Sequence, residues 1–70
     1  MLGRKSLIDK AVRRRFVVTL ASGEGAFSGV LTESDVEIWV FEACKTSAGE
    51  DIAGRVFVDR LGVAYLQELS

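Results

Sequence analysis

The sequence predicts an α+β chain, mainly β: one short basic helix, then a five-stranded antiparallel small barrel. Three observations predict it. The hydrophobic period changes from about 3.6 to 2 near Arg15. After that point, short alternating apolar runs are separated by glycine-bearing turns. The chain has 70 residues, of which 49% are hydrophobic, and no proline. That length allows one domain over residues 1–70, with the helix in 1–15 and the barrel in 16–69. That hydrophobic content is too high for disorder.

Residues 6–15 read as the helix. Ser6 is the expected N-cap, with Asp9 three residues on. Leu7, Ile8, Ala11 and Val12 form one apolar stripe. Arg13, Arg14 and Arg15 fall in the last turn, where cations complement the helix dipole. About ten residues of helix are marginal alone in water, so the stripe needs a docking surface.

Phe16, Val18 and Leu20 alternate with Val17 and Thr19 as the first strand. Ser22-Gly23-Glu24-Gly25 is its turn. Phe27, Gly29 and Leu31 alternate with Ser28 and Val30 as its hairpin partner, and Gly29 marks a bulge or bend. Glu33-Ser34-Asp35 turns the chain again. In residues 36–43, Val36, Ile38 and Val40 share one face and Trp39 and Phe41 the other, a strand needing cover on both sides. Residues 44–54 read as a polar loop with its tip near Ala48-Gly49. Val56-Phe57-Val58 and Val63–Leu66 give the last two strands, joined tightly at Leu61-Gly62. Curling such strands into a barrel of the SH3 or Sm type removes open edges. A core this small supplies about 3–5 kcal/mol, so edge-to-edge self-association would supplement it.

Composition excludes several chemistries. There is no histidine and one cysteine, so histidine-based triads, disulfide frameworks and cysteine zinc sites are not expected. The single Cys44 reads as buried and structural, and fits a reducing, intracellular setting. No apolar run approaches a membrane span. The first residues are too interrupted by charge to read as a secretory signal. Gly23-x-Gly25 lacks the following Lys-Ser/Thr of a nucleotide loop and reads as a hairpin turn. The carboxylates at Glu33, Asp35, Glu37, Glu42, Glu50, Asp51 and Asp59 read as solvated turn residues. No catalytic, cofactor or metal site is expected, and the chain is read as a non-enzyme.

Charge is unevenly placed. Residues 1–15 carry a net +5 and residues 16–70 a net −6, within a total of −1. A basic segment on an acidic body implies two surfaces with different partners. The residues expected to make partner contacts are Arg13, Arg14, Arg15, Trp39 and Phe41. For the arginines, the plain alternative is a solvated helix end. A contact with an acidic protein comes next and nucleic acid last, since the overall pI is near 5.3. For Trp39 and Phe41, the plain alternative is packing beneath the helix against Leu7, Ala11 and Val12. An inter-subunit contact comes next, and base stacking last.

The order of elements and one motif resemble the Sm-like family over roughly residues 6–66. The family's first signature reads here as Val18-Thr19-Leu20, Gly23, Gly29-Val30-Leu31 and Asp35, with the family's spacing from Gly29 to Asp35. The resemblance implies a small barrel, assembly through strand edges, and a seam between residues 55–60 and 63–67. The chain departs from the family at the positions that contact uridine. Trp39 stands where the family places an asparagine, and Arg60-Leu61-Gly62 replaces its Arg-Gly pair. The chain is also similar to small proteins encoded among virion genes of tailed phages of actinobacteria, through Arg14–Leu20 and Val63–Gln67. That likeness implies a virion or virion-assembly role through protein–protein contacts, in the host cytoplasm or the virion, with other subunits as partners. The rival expectation is an Sm-like module binding RNA or single-stranded nucleic acid. A regulatory factor acting on a host enzyme is a third.

Overall fold

The computed structural model describes residues 9–23 and 25–69. Its described strands are β1 (Arg15–Leu20), β2 (Ala26–Ser34), β3 (Ile38–Thr46), β4 (Asp51–Ile52), β5 (Val56–Asp59) and β6 (Val63–Leu69). All the pairings between them are antiparallel. The sheet runs β4-β3-β2-β1-β6, and β5 pairs with the other end of β3.

This corrects the expected α+β class: the described chain is all-β, with six strands instead of five. Of the expected helix, only a single 3-10 turn at Asp9–Ala11 lies among the described residues. Ser6, Leu7 and Ile8 lie outside them. The backbone leaves helical geometry at Arg13, whose φ is +78°. The Arg13 N–H donates to the Leu31 carbonyl at 2.6 Å, and the Leu31 N–H donates to the Arg14 carbonyl at 3.0 Å. Arg13 and Arg14 thus extend the β1–β2 ladder instead of closing a helix. The cost of nucleating so short a helix explains why tertiary pairing wins.

The barrel is also not closed. β5 and β6 are joined by a 3-10 turn at Arg60–Gly62, yet β5 pairs only with β3 and β6 only with β1 among the described residues. The extra strand, β4, sits in the stretch expected to be loop. Asp51 and Ile52 pair with Lys45 and Cys44, and Gly54, at φ +80°, breaks the edge before β5 begins. A two-residue strand leaves no period to read.

The core is built from β1, β2, β3 and β5. Phe16, Val18, Leu31, Trp39, Phe41, Cys44 and Val58 are buried together, with Ala11, Val12 and Phe27 packed against them. Phe41 centres it, making edge-to-face contacts with Phe16 at 6.4 Å and Phe27 at 5.7 Å between ring centroids. Such pairs add to area burial.

The bend expected at Gly29 is present. The β2–β3 register shifts between Ser28 and Val30, and Ala43 takes the bulge position with φ +52°. Glycine is required at 29 for space. A Cβ there would sit 2.6 Å from Cys44 Sγ and 3.2 Å from Phe41 Cβ. A second register shift between Leu31 and Glu33 bends the same hairpin again, next to the bond from Thr32 Oγ1 to the Val40 carbonyl. Two bulges along one hairpin increase its twist and bring the ends of β3 and β5 beside the β2–β3 turn.

Candidate interaction site

Two turns meet at one end of the sheet: the β2–β3 turn around Asp35–Glu37 and the β5–β6 turn at Arg60–Gly62. Arg60 joins them. Its backbone N–H donates to the Glu37 carbonyl at 2.9 Å, and its Nη1 donates to the Asp35 carbonyl at 2.7 Å. Its guanidinium lies 4.8 Å above the Trp39 ring, a cation–π distance. Each turn is also braced from within. The Asp35 N–H donates to the Ile38 carbonyl, and Asp35 Oδ1 accepts from the Val36 N–H. Asp59 caps the second turn by accepting from the Leu61 N–H at 2.9 Å.

The expected site residues do not gather into one surface. Arg13 and Arg14 are exposed. Arg14 pairs with Glu68 of β6 at 2.7 Å. Arg15 is half-buried and reaches the Ala43 carbonyl at the bulge, at 3.4 Å. Arg14 precedes β1 and turns to β6, whereas Arg15 opens β1 and turns to the bulge in β3, so the two cations are directed to different strands. Phe41 has no exposed surface and offers none to a partner. Trp39 is buried, its indole Nε1–H has no hydrogen-bond partner among the described residues, and its ring carries Arg60. The plain alternative for the aromatic pair holds in part. Both belong to the core against which Ala11 and Val12 pack, with no helix over it among the described residues.

The residue the sequence reading passed over is Arg60. The signal was present: an Asp-Arg-x-Gly run directly after a strand, in the place of the Sm-like Arg-Gly pair. Val36, expected on a covered face of the strand over 36–43, lies instead on the turn before β3, which begins at Ile38, and is exposed; Leu61, expected in the tight connection, is exposed there as well.

Little acid–base chemistry is available. Cys44 is buried, and burial pushes its thiol above the ordinary value, with Arg15 opposing and Glu42 adding to the shift. A neutral buried thiol is a poor nucleophile. Among the described residues, no group of three histidine, cysteine or carboxylate side chains converges as metal ligands. No helix among them is long and apolar enough to cross a membrane.

No family model matches the chain, and no curated protein is similar to it. Among solved structures, the fold matches a Sm-like archaeal protein from Pyrobaculum aerophilum. The TM-score is 0.77 and the identity 25%, over 90% of this chain and 48% of that one. The chain therefore has an Sm-like small β fold, as its motif implies, and spans about half the length of the archaeal protein. The likeness to phage proteins has no counterpart in these comparisons.

Proposed function

We infer that this chain is a non-enzymatic Sm-like module that acts by protein–protein contact and assembles with copies of itself through its strand edges. One observation carries the reading: the open sheet leaves the outer edges of β5 and β6 unpaired by any described strand. Exposed Phe57 and Tyr65 stand on those two strands. A free edge offers a row of backbone donors and acceptors to another strand. Antiparallel pairing of β5 with β6 of the next copy would generate a heterologous, ring-forming contact. The finer setting, phage virion assembly in the host cytoplasm or the virion, is supported by the resemblance at Arg14–Leu20 and Val63–Gln67.

Native mass measurement tests the assembly. The expected result is a species larger than the monomer that falls to monomer when Ala64→Lys and Tyr65→Lys place charge along β6. A monomeric native chain at high concentration, or assembly unchanged by both lysines, would overturn it.

The second reading, binding of single-stranded nucleic acid, is favoured by one specific feature. Asp35, Trp39 and Arg60 stand at the Sm-like base-contact positions, and the two turns bring them together. Against it, Arg60 is engaged with Trp39 and the Asp35 carbonyl, and the carboxylates of Glu37 and Asp59 flank it. Phosphate contacts need uncommitted cations. Titration with oligouridylate at low salt is expected to be flat.

A further inference from the structure

The two braced turns hold large aliphatic side chains out in water. Leu61 is 92% exposed and Val36 80%. Together with Ile38, Glu37, Asp59 and Arg60 they line an open cleft of about 500 Å³. Beyond Ile38 a second cleft of about 300 Å³ continues to Phe57, bordered by Glu33 and Asp35. The result is an apolar band running Leu61, Val36, Ile38, Phe57. Isolated exposed apolar residues are ordinary on any protein surface. A contiguous band is different, and this one is pre-organised. The amide of Val36 is fixed by Asp35, that of Leu61 by Asp59, and the two turns by Arg60. Pre-organisation of this kind lowers the entropy lost on binding.

Charge selects the occupant. Four carboxylates border the band: Glu33, Asp35, Glu37 and Asp59. The two cations nearby are engaged. Arg60 lies over Trp39. Arg55 lies 5.2 Å over the Phe57 ring, and its Nη1 is 3.9 Å from Glu33. A nucleic acid or an anionic membrane would meet net repulsion here. We propose that this band is a docking surface for a basic, apolar peptide segment of a partner protein. Its aliphatic side chains seat against Leu61, Val36 and Ile38, and its lysines or arginines face Glu37 and Asp59. The band shares Phe57 with the β5 edge, so the substitutions that test it fall on Val36, Glu37 and Leu61, which lie outside both β5 and β6 and leave the assembly edges unaltered.

The test is fluorescence anisotropy of the full chain with three labelled model peptides, and the Trp39 emission beside Arg60 as a second readout. A Leu/Lys peptide is expected to bind saturably. A Ser/Lys peptide of equal charge and a Leu/Glu peptide are expected not to. The Val36→Ser/Leu61→Ser double variant should weaken Leu/Lys binding at least tenfold, and Glu37→Lys should weaken it severalfold. Both serines replace exposed residues, and an unchanged thermal transition will verify the fold. Equal binding of the Ser/Lys peptide would overturn the proposal. So would undiminished binding by the double variant, or displacement of the Leu/Lys peptide by oligouridylate.

Discussion

The two ends of β3 treat apolar side chains in opposite ways. From Trp39 to Cys44 the strand delivers Trp39, Phe41 and Cys44 into a core sealed by β1, β2 and β5. At Val36 and Ile38, just before and at its start, the aliphatic side chains stand at the surface. Both regions are tightly held, but by different forces. The core is held by burial, which is non-directional and scales with area. The turn pair is held by directed contacts: backbone bonds, two carboxylate caps and one guanidinium stacked on an indole. The comparison teaches that rigidity at the exposed end is obtained without burial, which leaves its aliphatic groups free to meet another surface.

The largest expected effect lies at the centre of the buried end. Phe41→Ala removes a fully buried ring and both of its edge-to-face partners. Truncations of this kind cost about 3–5 kcal/mol. That equals the whole stability expected of so small a core. The variant is expected to be unfolded at room temperature by circular dichroism. A cooperative transition within a few degrees of the parent would show that the core is centred elsewhere.

The next effect tests close packing instead of volume lost. Gly29→Ala places a methyl group in contact with Cys44 Sγ, too close for any real Cβ. Overpacking typically costs about 1–3 kcal/mol. The sulfur is the nearer obstacle, so Cys44→Ala in the same chain should recover part of the loss. Urea unfolding of the four members of the cycle measures the coupling. Strict additivity of the two substitutions would remove Cys44 as the reason for glycine at 29.

How much of this was legible beforehand follows from the same division. The core of the first hairpin was readable because alternation records which side of a strand is wet: Phe16, Val18 and Leu31 fall on the inward beat, whereas Phe41, on a strand apolar on both faces, was expected at a partner contact and lies fully buried. The bend at Gly29 was readable because an inward position in a strand carried no side chain. The absence of α-helix over the described residues 9–15 was not, because Ala11 and Val12 satisfy a helical stripe and a docked turn equally well. Only the long-range bond from Arg13 to Leu31 decides between them. Strand β4 was hidden by its length. The Sm-like fold was legible from Gly29-Val30-Leu31 and Asp35, whereas barrel closure, a property of pairings between distant strands, was not. At the candidate site, Arg60 was read as a departure from a motif. Its role needs the proximity of Asp35, Glu37 and Trp39, residues 21 to 25 positions away in sequence, which only the folded chain supplies.

The smallest expected effect on stability is the one that sharpens the comparison most. Arg60→Gln removes the cation over Trp39 and the side-chain bond to the Asp35 carbonyl, while its backbone bond to Glu37 remains. A cation–π contact near the surface is worth about 0.5–1 kcal/mol. Because Arg60 is only half-buried, solvent takes over much of the lost hydrogen bonding. The global transition should therefore move by no more than about 1 kcal/mol. Local opening should respond far more, because Arg60 is the side chain that ties one turn to the other. Amide exchange at Val36 and Leu61 is expected to accelerate severalfold, with exchange at Val18 and Phe41 unchanged. If the core amides accelerate equally, the turn pair is part of the same cooperative unit as the core. The separation of the two regions would then fail. If only the turn amides respond, the exposed aliphatic groups owe their placement to one arginine, and loss of that arginine should weaken peptide docking without touching the core.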